Sequence, residues 1–226
     1  MIILLGVGHV FDIGPRIRGE ILRRKPALVC LELDEGRFRA LQNRELRKRG
    51  LTLYNVVSLF QQRIAQQYGA HVGEEMLAAW EAARELGVPI SLIDIDSMIT
   101  WRRLRASMTP FEALKLLVST LGAIFMRKER IERELDRYQA DSTGFMRAFG
   151  KSYPSIKRVL VDERNEYMAS RLRELHRGYG DIIALVGDGH VEGLRTLLSD
   201  EPLEVVRLWD LRGVESQSEA FTTMAL

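Results

Sequence analysis

The sequence predicts an α/β fold, a single domain with a mostly parallel or mixed central sheet, flanking helices and a long helical insertion between strands three and four. Three observations lead there. Short apolar runs alternate with helix-periodic segments over the first third of the chain and return near its end. Almost no strand-like run interrupts the middle. Two near-identical tetrapeptides, Gly6-Val7-Gly8-His9 and Gly187-Asp188-Gly189-His190, each follow such an apolar run.

Strand one begins at Ile2 and ends near Val7, and Pro15 to Arg24 reads as a helix. Ala27 to Leu33 is strand two, and Glu35 to Arg49 is helical with Phe38, Leu41 and Leu46 supplying apolar contacts. Further helices fit Val56–Tyr68 and Glu74–Leu86; in the second, Met76, Leu77, Trp80, Ala83 and Leu86 recur near helical spacing. Gly87 stops that helix and Pro89 introduces strand three, Ile90 to Ile93. The insertion covers about 96–176. Within it Thr109 can cap a helix starting at Pro110, Arg127 to Arg137 is charged nearly all round, and Tyr153 to Leu175 carries an apolar stripe. Strand four (Ile182–Val186), a helix near Val191–Leu198 and a last strand (Leu203–Trp209) complete the core. The domain is expected to span 1–214, with 215–226 a flexible tail.

Composition narrows the function classes. The chain has 226 residues, 46% hydrophobic and 28% charged, which argues against disorder. Its 33 basic and 31 acidic side chains interleave to a net charge of +2, so no nucleic-acid partner is expected. Arg102-Arg103-Leu104-Arg105 and Arg47-Lys48-Arg49 read as solvated helix faces. The single cysteine, Cys30, forbids an intrachain disulfide, suits a reducing compartment and reads as a packed thiol. The apolar N-terminus is too short for a signal peptide. The longest apolar stretch, Phe111 to Met126, is broken by Glu112, Lys115, Ser119 and Thr120, short of the ~20 residues of a membrane span. No membrane segment and a cytoplasmic location are therefore expected.

In a parallel sheet the carboxyl ends of the strands share one edge, where open α/β folds place ligands. That edge receives His9 after strand one, Glu32 and Asp34 after strand two, Asp94 and Asp96 after strand three, and His190 after strand four. Side chains alternate along a strand, so Glu32 and Asp34 share a face. Two imidazoles and a carboxylate form a common ligand set for a catalytic divalent metal. His9, Glu32 and His190 are that candidate set, with Asp34 or Glu35 as general base. Gly8 and Gly189 allow close approach of a ligand and, with Asp94, Asp96 and Asn165, make up the candidate substrate-binding residues. Glu163 and Arg164 fall inside the apolar stripe of their helix, four residues beyond Val159 and Leu160. Either they form an internal ion pair, or Arg164 reaches a carboxylate or substrate oxygen while Glu163 orients a ligand. Arg37 invites the same two readings. His71 and His176 read as surface residues.

Five segments occur in an order that resembles a known family: Gly6-Val7-Gly8-His9, Leu31-Glu32-Leu33-Asp34-Glu35-Gly36-Arg37-Phe38, Gly73-Glu74-Glu75-Met76, Val161-Asp162-Glu163-Arg164-Asn165-Glu166-Tyr167-Met168-Ala169 and Val186-Gly187-Asp188-Gly189-His190. Together they resemble the TraB/PrgY pheromone-shutdown family, related to the Tiki-type metalloproteases and to a superfamily of erythromycin-esterase-like and ChaN-like proteins. The resemblance covers essentially the whole chain. It implies a metal-dependent peptidase in which His9, His190 and Glu32 take the positions of the required histidines and glutamate. Two departures stand out. Many relatives continue into C-terminal membrane helices that this sequence does not show, and Ile93-Asp94-Ile95-Asp96 lacks an arginine between its aspartates, which is expected to leave both without an adjacent cation.

Three functions compete at this level. The first is a hydrolase of peptide bonds that depends on zinc, manganese or cobalt, with Arg164 or Arg37 steadying an oxyanion. The second is a non-catalytic regulator that binds a peptide or small molecule. The third is a metal-free, esterase-like hydrolase with His9 as base. A homodimer is compatible with the composition.

Overall fold

A computed structural model describes residues 1–8, 13–43, 73–124, 133, 137–138 and 141–212. His9, His71, the expected helix at 56–68, residues 44–49 of the helix expected from Glu35, most of 127–137 and the expected tail at 215–226 lie outside the described residues.

Five strands, β1 (Ile2–Val7), β2 (Leu28–Leu31), β3 (Ile90–Leu92), β4 (Ile182–Gly187) and β5 (Leu203–Val206), form one sheet in the order β3-β2-β4-β1-β5. Every pairing is parallel. β1 lies in register beside β4 from Ile2 opposite Ile182 to Val7 opposite Gly187. Both strands are apolar along their length because both faces are covered, as parallel sheets require.

Alternation sorts the side chains into two cores. Ile3, Leu5, Val29, Leu31, Ile183 and Leu185 face α1 (Gly14–Arg24) and α3 (Glu74–Leu86). α1 starts with a proline in its first turn and ends at Lys25 in the left-handed region. It presents Ile17 and Ile21 one turn apart, and burying each such side chain is worth about 1.5–3 kcal/mol. On the other face Ile2, Leu4, Leu28, Cys30, Ile182, Ala184 and Val186 pack on α8 (Glu163–Tyr179) and α9 (Asp188–Leu197). Cys30 is fully buried there and burial pushes its thiol up to about 12, so it is an inert packed group.

Between β3 and β4 the described residues are helical: α4 (Ser97–Ser107), α5 (Pro110–Ile124), α6 (Ser142–Ser152), α7 (Pro154–Lys157) and α8. α5 meets its neighbours through Leu116, packed on Leu104, Ile156 and Val159, and through polar groups. Glu112 accepts from Ser155 N, the Lys115 ammonium donates to Ser152 O, and Tyr153 donates to Ser119. Phe111, Leu114 and Val118 are left exposed. α2 (Glu35–Gln42) follows β2, and α10 (Leu208–Arg212) follows β5.

Some boundaries differ from expectation for identifiable reasons. The last strand stops at Val206 because Asp210 accepts from Arg207 N and the chain turns into α10, which buries Trp209 from a helix rather than a strand. The helix expected from Tyr153 to Leu175 contains a π-helical turn, Arg158–Asp162, between α7 and α8. The extra residue in that turn rotates everything after it. Arg164, five positions beyond buried Val159, takes the inward face, and Glu163 is pushed outward to Arg103.

The chain leaves β1 toward β2 on one side and leaves β4 toward β5 on the other. These neighbours therefore form the switch point of the sheet, and the crevice at their carboxyl ends is where such folds bind ligands. Gly6-Val7-Gly8 sits at the end of the first of these strands and Gly187-Asp188-Gly189-His190 at the end of the second.

Candidate functional site

β2 delivers Glu32 and Asp34 to the sheet edge, both 6% exposed. Glu32 continues the alternation of Leu28 and Cys30 and so points toward α8 and α9. There the Arg164 guanidinium donates to Glu32 Oε1 through Nη2, and to Asp94 through Nε at 2.9 Å and Nη2 at 2.7 Å. Its Nη1 donates back to Leu160 O in the π-helical turn at 3.0 Å. Arg37 continues the chain of charges, donating to Asp94 Oδ2 at 2.5 Å and to Asp34 Oδ2 at 2.7 Å. A ladder Asp34–Arg37–Asp94–Arg164–Glu32 thus crosses the ends of β3 and β2 toward β4.

The ladder holds its carboxylates ionised. Burial would raise Asp94, but the hydrogen bonds and charge of Arg164, with those of Arg37, bring it down to about 2. Glu32 is likewise held below the usual carboxylate range: burial opposes this, and His190, Arg164 and the Gly187 N–H outweigh it. Three carboxylates against two guanidinium groups leave one negative charge. That charge lies at the Glu32 end, where His190 waits.

His190 enters from the first turn of α9, which starts at Asp188, earlier than expected. Its Nε2 lies 3.3 Å from Glu32 Oε1, and its Nδ1 lies 2.6 Å from Asn165 Oδ1. Asn165 Oδ1 can only accept, so Nδ1 carries the proton and Nε2 is turned to the carboxylate. Glu32 Oε2 accepts the Gly187 N–H at 2.5 Å. Asn165 reaches this position only because residue 193 is glycine: a Cβ there would stand 2.1 Å from Asn165 Nδ2. Gly193→Ala is therefore expected to push Asn165 off His190 and cost about 1–3 kcal/mol by overpacking, measurable by thermal unfolding. An unchanged melting curve would refute that packing.

The structure brings together Glu32, Asp34, Arg37, Asp94, Arg164, Asn165 and His190. The missing arginine between Asp94 and Asp96 does not leave Asp94 bare, as Arg37 and Arg164 arrive from α2 and α8 instead. Other candidates fall elsewhere. Glu35 is exposed and pairs with Arg39. Glu163 pairs with Arg103 and Arg158. Asp96 caps α4 by accepting from Met98 N and Ile99 N. Asp34, at the outer end of the ladder, also caps α2 by accepting from Arg37 N and accepts from Ser97 N. Gly8 ends the described segment after β1, and Gly189 lies within α9 with open space at its Cα. His176 closes α8, its Nδ1 2.5 Å from Gly180 O.

Two residues at this edge were not anticipated. Asp188 is 5% exposed and Arg207, expected inside the last strand, grips it with Nε at 2.9 Å and Nη2 at 2.6 Å. The one sign in the sequence was a carboxylate flanked by two glycines at a strand end.

A family model described as TraB/PrgY/gumN matches residues 1–207. The chain belongs to the TraB/PrgY/gumN family. An uncharacterized protein of Methanocaldococcus jannaschii is 33% identical over 206 residues, covering 85% of this chain. The chain spans about half, 52%, of that relative's length. Within this TraB/PrgY/gumN chain the matched region takes in the ladder, Asn165 and both Gly-x-x-His tetrapeptides, and it ends at Arg207.

The described residues can be tested for metal chemistry. Two ligands of one tetrahedral zinc ion, each bonded at about 2.0–2.1 Å, stand roughly 3.3 Å apart. His190 Nε2 and Glu32 Oε1 are separated by that much. Asn165 fills the outer role of fixing the imidazole tautomer. The donors fit in kind and spacing, but they are two. Among the described residues no group of three His, Cys, Asp or Glu side chains is placed to hold an ion, and His9 lies outside them.

Proposed function

We propose that this protein is a metal-dependent hydrolase acting on peptides or related amides, with His190, Glu32 and His9 holding one divalent ion of the zinc, manganese or cobalt type. The observation that carries the reading is the pairing of His190 Nε2 with an ionised, buried Glu32 at the sheet's switch point, the imidazole fixed from behind by Asn165. A bound ion supplies an activated water and polarises a carbonyl. The chain's own residues prepare the ground for that. Arg164 and the Gly187 N–H keep Glu32 anionic and oriented, and Asn165 holds the imidazole so that Nε2 faces the same carboxylate. Asp94 and Arg37 buttress Arg164, which gives one hydrogen bond from Nε, one from Nη1 and two from Nη2 to Asp94, Leu160 O and Glu32 and so supports the site. The resemblance of the five sequence motifs to those of Tiki-type metalloproteases is what suggests peptides as the substrate class.

A second reading has its own observation. The ladder's arginines already neutralise most of its carboxylates, which suits a pocket that binds a peptide without turning it over. Metal stoichiometry separates the two. After reconstitution with zinc, manganese or cobalt, elemental analysis should find about one ion per chain in the wild type. His190→Ala and His9→Ala should find none, and both should lose cleavage of a peptide library read by mass spectrometry. Equal uptake in the wild type and both variants would sink the metal assignment. Saturable peptide binding unaffected by chelator, with no product, would establish the binding reading in its place.

A further inference from the structure

We infer that Arg207 and Asp188 form a clamp that sets the rotation of α9 and thereby aims the His190 imidazole at Glu32, which makes Arg207 a positioning residue. The inference rests on the reading above only in taking His190 as part of the site. Its evidence is the way the Asp188 carboxylate is used. A carboxylate in the first turn of a helix ordinarily accepts from that helix's own N–H groups. Asp188 accepts instead from outside its helix. Arg207 Nε and Nη2 donate to it at 2.9 and 2.6 Å, Leu208 N at 3.1 Å and the Tyr138 hydroxyl at 3.0 Å. Those donors lie after β5, at the start of α10 and in the segment before α6. A third arm of the same guanidinium, Nη1, reaches Glu192 at 2.8 Å.

Asp188 and Glu192 are four residues apart and share one side of α9, while His190, two residues from each, projects from the opposite side. Arg207 therefore grips the back of the helix whose front carries the imidazole. The leverage is considerable. Side chains reach about 5–6 Å from a helix axis, so a rotation of roughly 15° moves a ring nitrogen by ~1.5 Å. A displacement of ~1 Å can cost ~10²-fold in rate. The strand below is shaped for the clamp as well. A Cβ on Gly6 would stand 2.5 Å from Asp188 Oδ1, so the first glycine of the N-terminal tetrapeptide makes room for the carboxylate of the C-terminal one.

The test is a long-range nitrogen–proton correlation spectrum of the histidine rings in the full, nitrogen-15-labelled chain at one fixed pH. With four histidines, His190 is assigned by its loss in His190→Ala. The wild type should show a ring protonated at Nδ1, well separated from an averaged free imidazole. Arg207→Gln should lose most of that separation while the amide spectrum stays folded, and Arg207→Lys, which keeps one charged donor, should recover part of it. Arg18→Gln, which removes an exposed pair with Glu85, should change nothing. If Arg207→Gln does not fold, Glu192→Gln removes only the outer arm and should give a smaller change in the same direction. An averaged ring in the wild type, or an unchanged His190 ring in a folded Arg207→Gln or in Glu192→Gln, overturns the clamp. These outcomes are independent of metal uptake and peptide cleavage, so the clamp and the proposed function can fail separately.

Discussion

Arg164→Met is expected to lower folding stability by about 3–5 kcal/mol, because it strips the shared cation from two buried carboxylates at once. The side chains of Asp94 and Glu32 are 1% and 6% exposed, so water cannot replace the guanidinium. Arg164→Lys should fall between the wild type and Arg164→Met. It restores the charge, but a single ammonium cannot reproduce the fork that spans Asp94 while also reaching Glu32. Urea unfolding of the three proteins measures this. A loss below ~1 kcal/mol in Arg164→Met would mean that the ladder is not closed as described.

Asp94→Asn should give the second largest effect, and one with a pH signature. The native carboxyl of Asp94 is lowered from 3.8 to about 2, so the folded state favours its ionised form. A lowered native value contributes stability that is present in full above the unfolded value and is lost as pH falls through the native one. The shift corresponds to something on the order of 2 kcal/mol. At neutral pH the variant should be less stable than the wild type by about that amount, and the two should converge between about pH 4 and pH 2. A gap that stays constant across that range would show that Asp94 contributes by shape rather than by charge.

Much of the site was legible because strand ends are legible. Glu32, Asp34, Asp94 and His190 follow apolar runs, and in a parallel sheet that alone sends them to one edge. Alternation placed Glu32 and Asp34 on one face. What alternation could not say is what that face meets. Asp34 spends its oxygens on capping α2 and on Ser97 N, while Glu32, two residues earlier, meets Arg164, Gly187 and His190. Glu35 and Glu163 lie outside the ladder for reasons of another kind. Glu35 points outward from α2 to Arg39, and Glu163 is turned away by a π-helical turn that helical periodicity does not foresee.

The glycines carry a similar lesson. Gly8 and Gly189 were the ones read as allowing close approach of a ligand, whereas the close approaches fall at Gly6, which makes space for Asp188, and at Gly193, which makes space for Asn165. A small residue advertises that something comes close without saying from where.

By itself, then, the sequence determined the α/β class, the parallel edge, the family and which carboxylates and imidazole gather at that edge, since these follow from period, order and local spacing. Only the tertiary structure decided which charges pair. Asp94 with Arg37 and Arg164, Glu32 with His190, and Asp188 with Arg207 each join separate elements of the chain. The physical reason is that ion pairs and hydrogen bonds are short-ranged and directional. Their partners are selected by how helices rotate and pack, which no local pattern encodes.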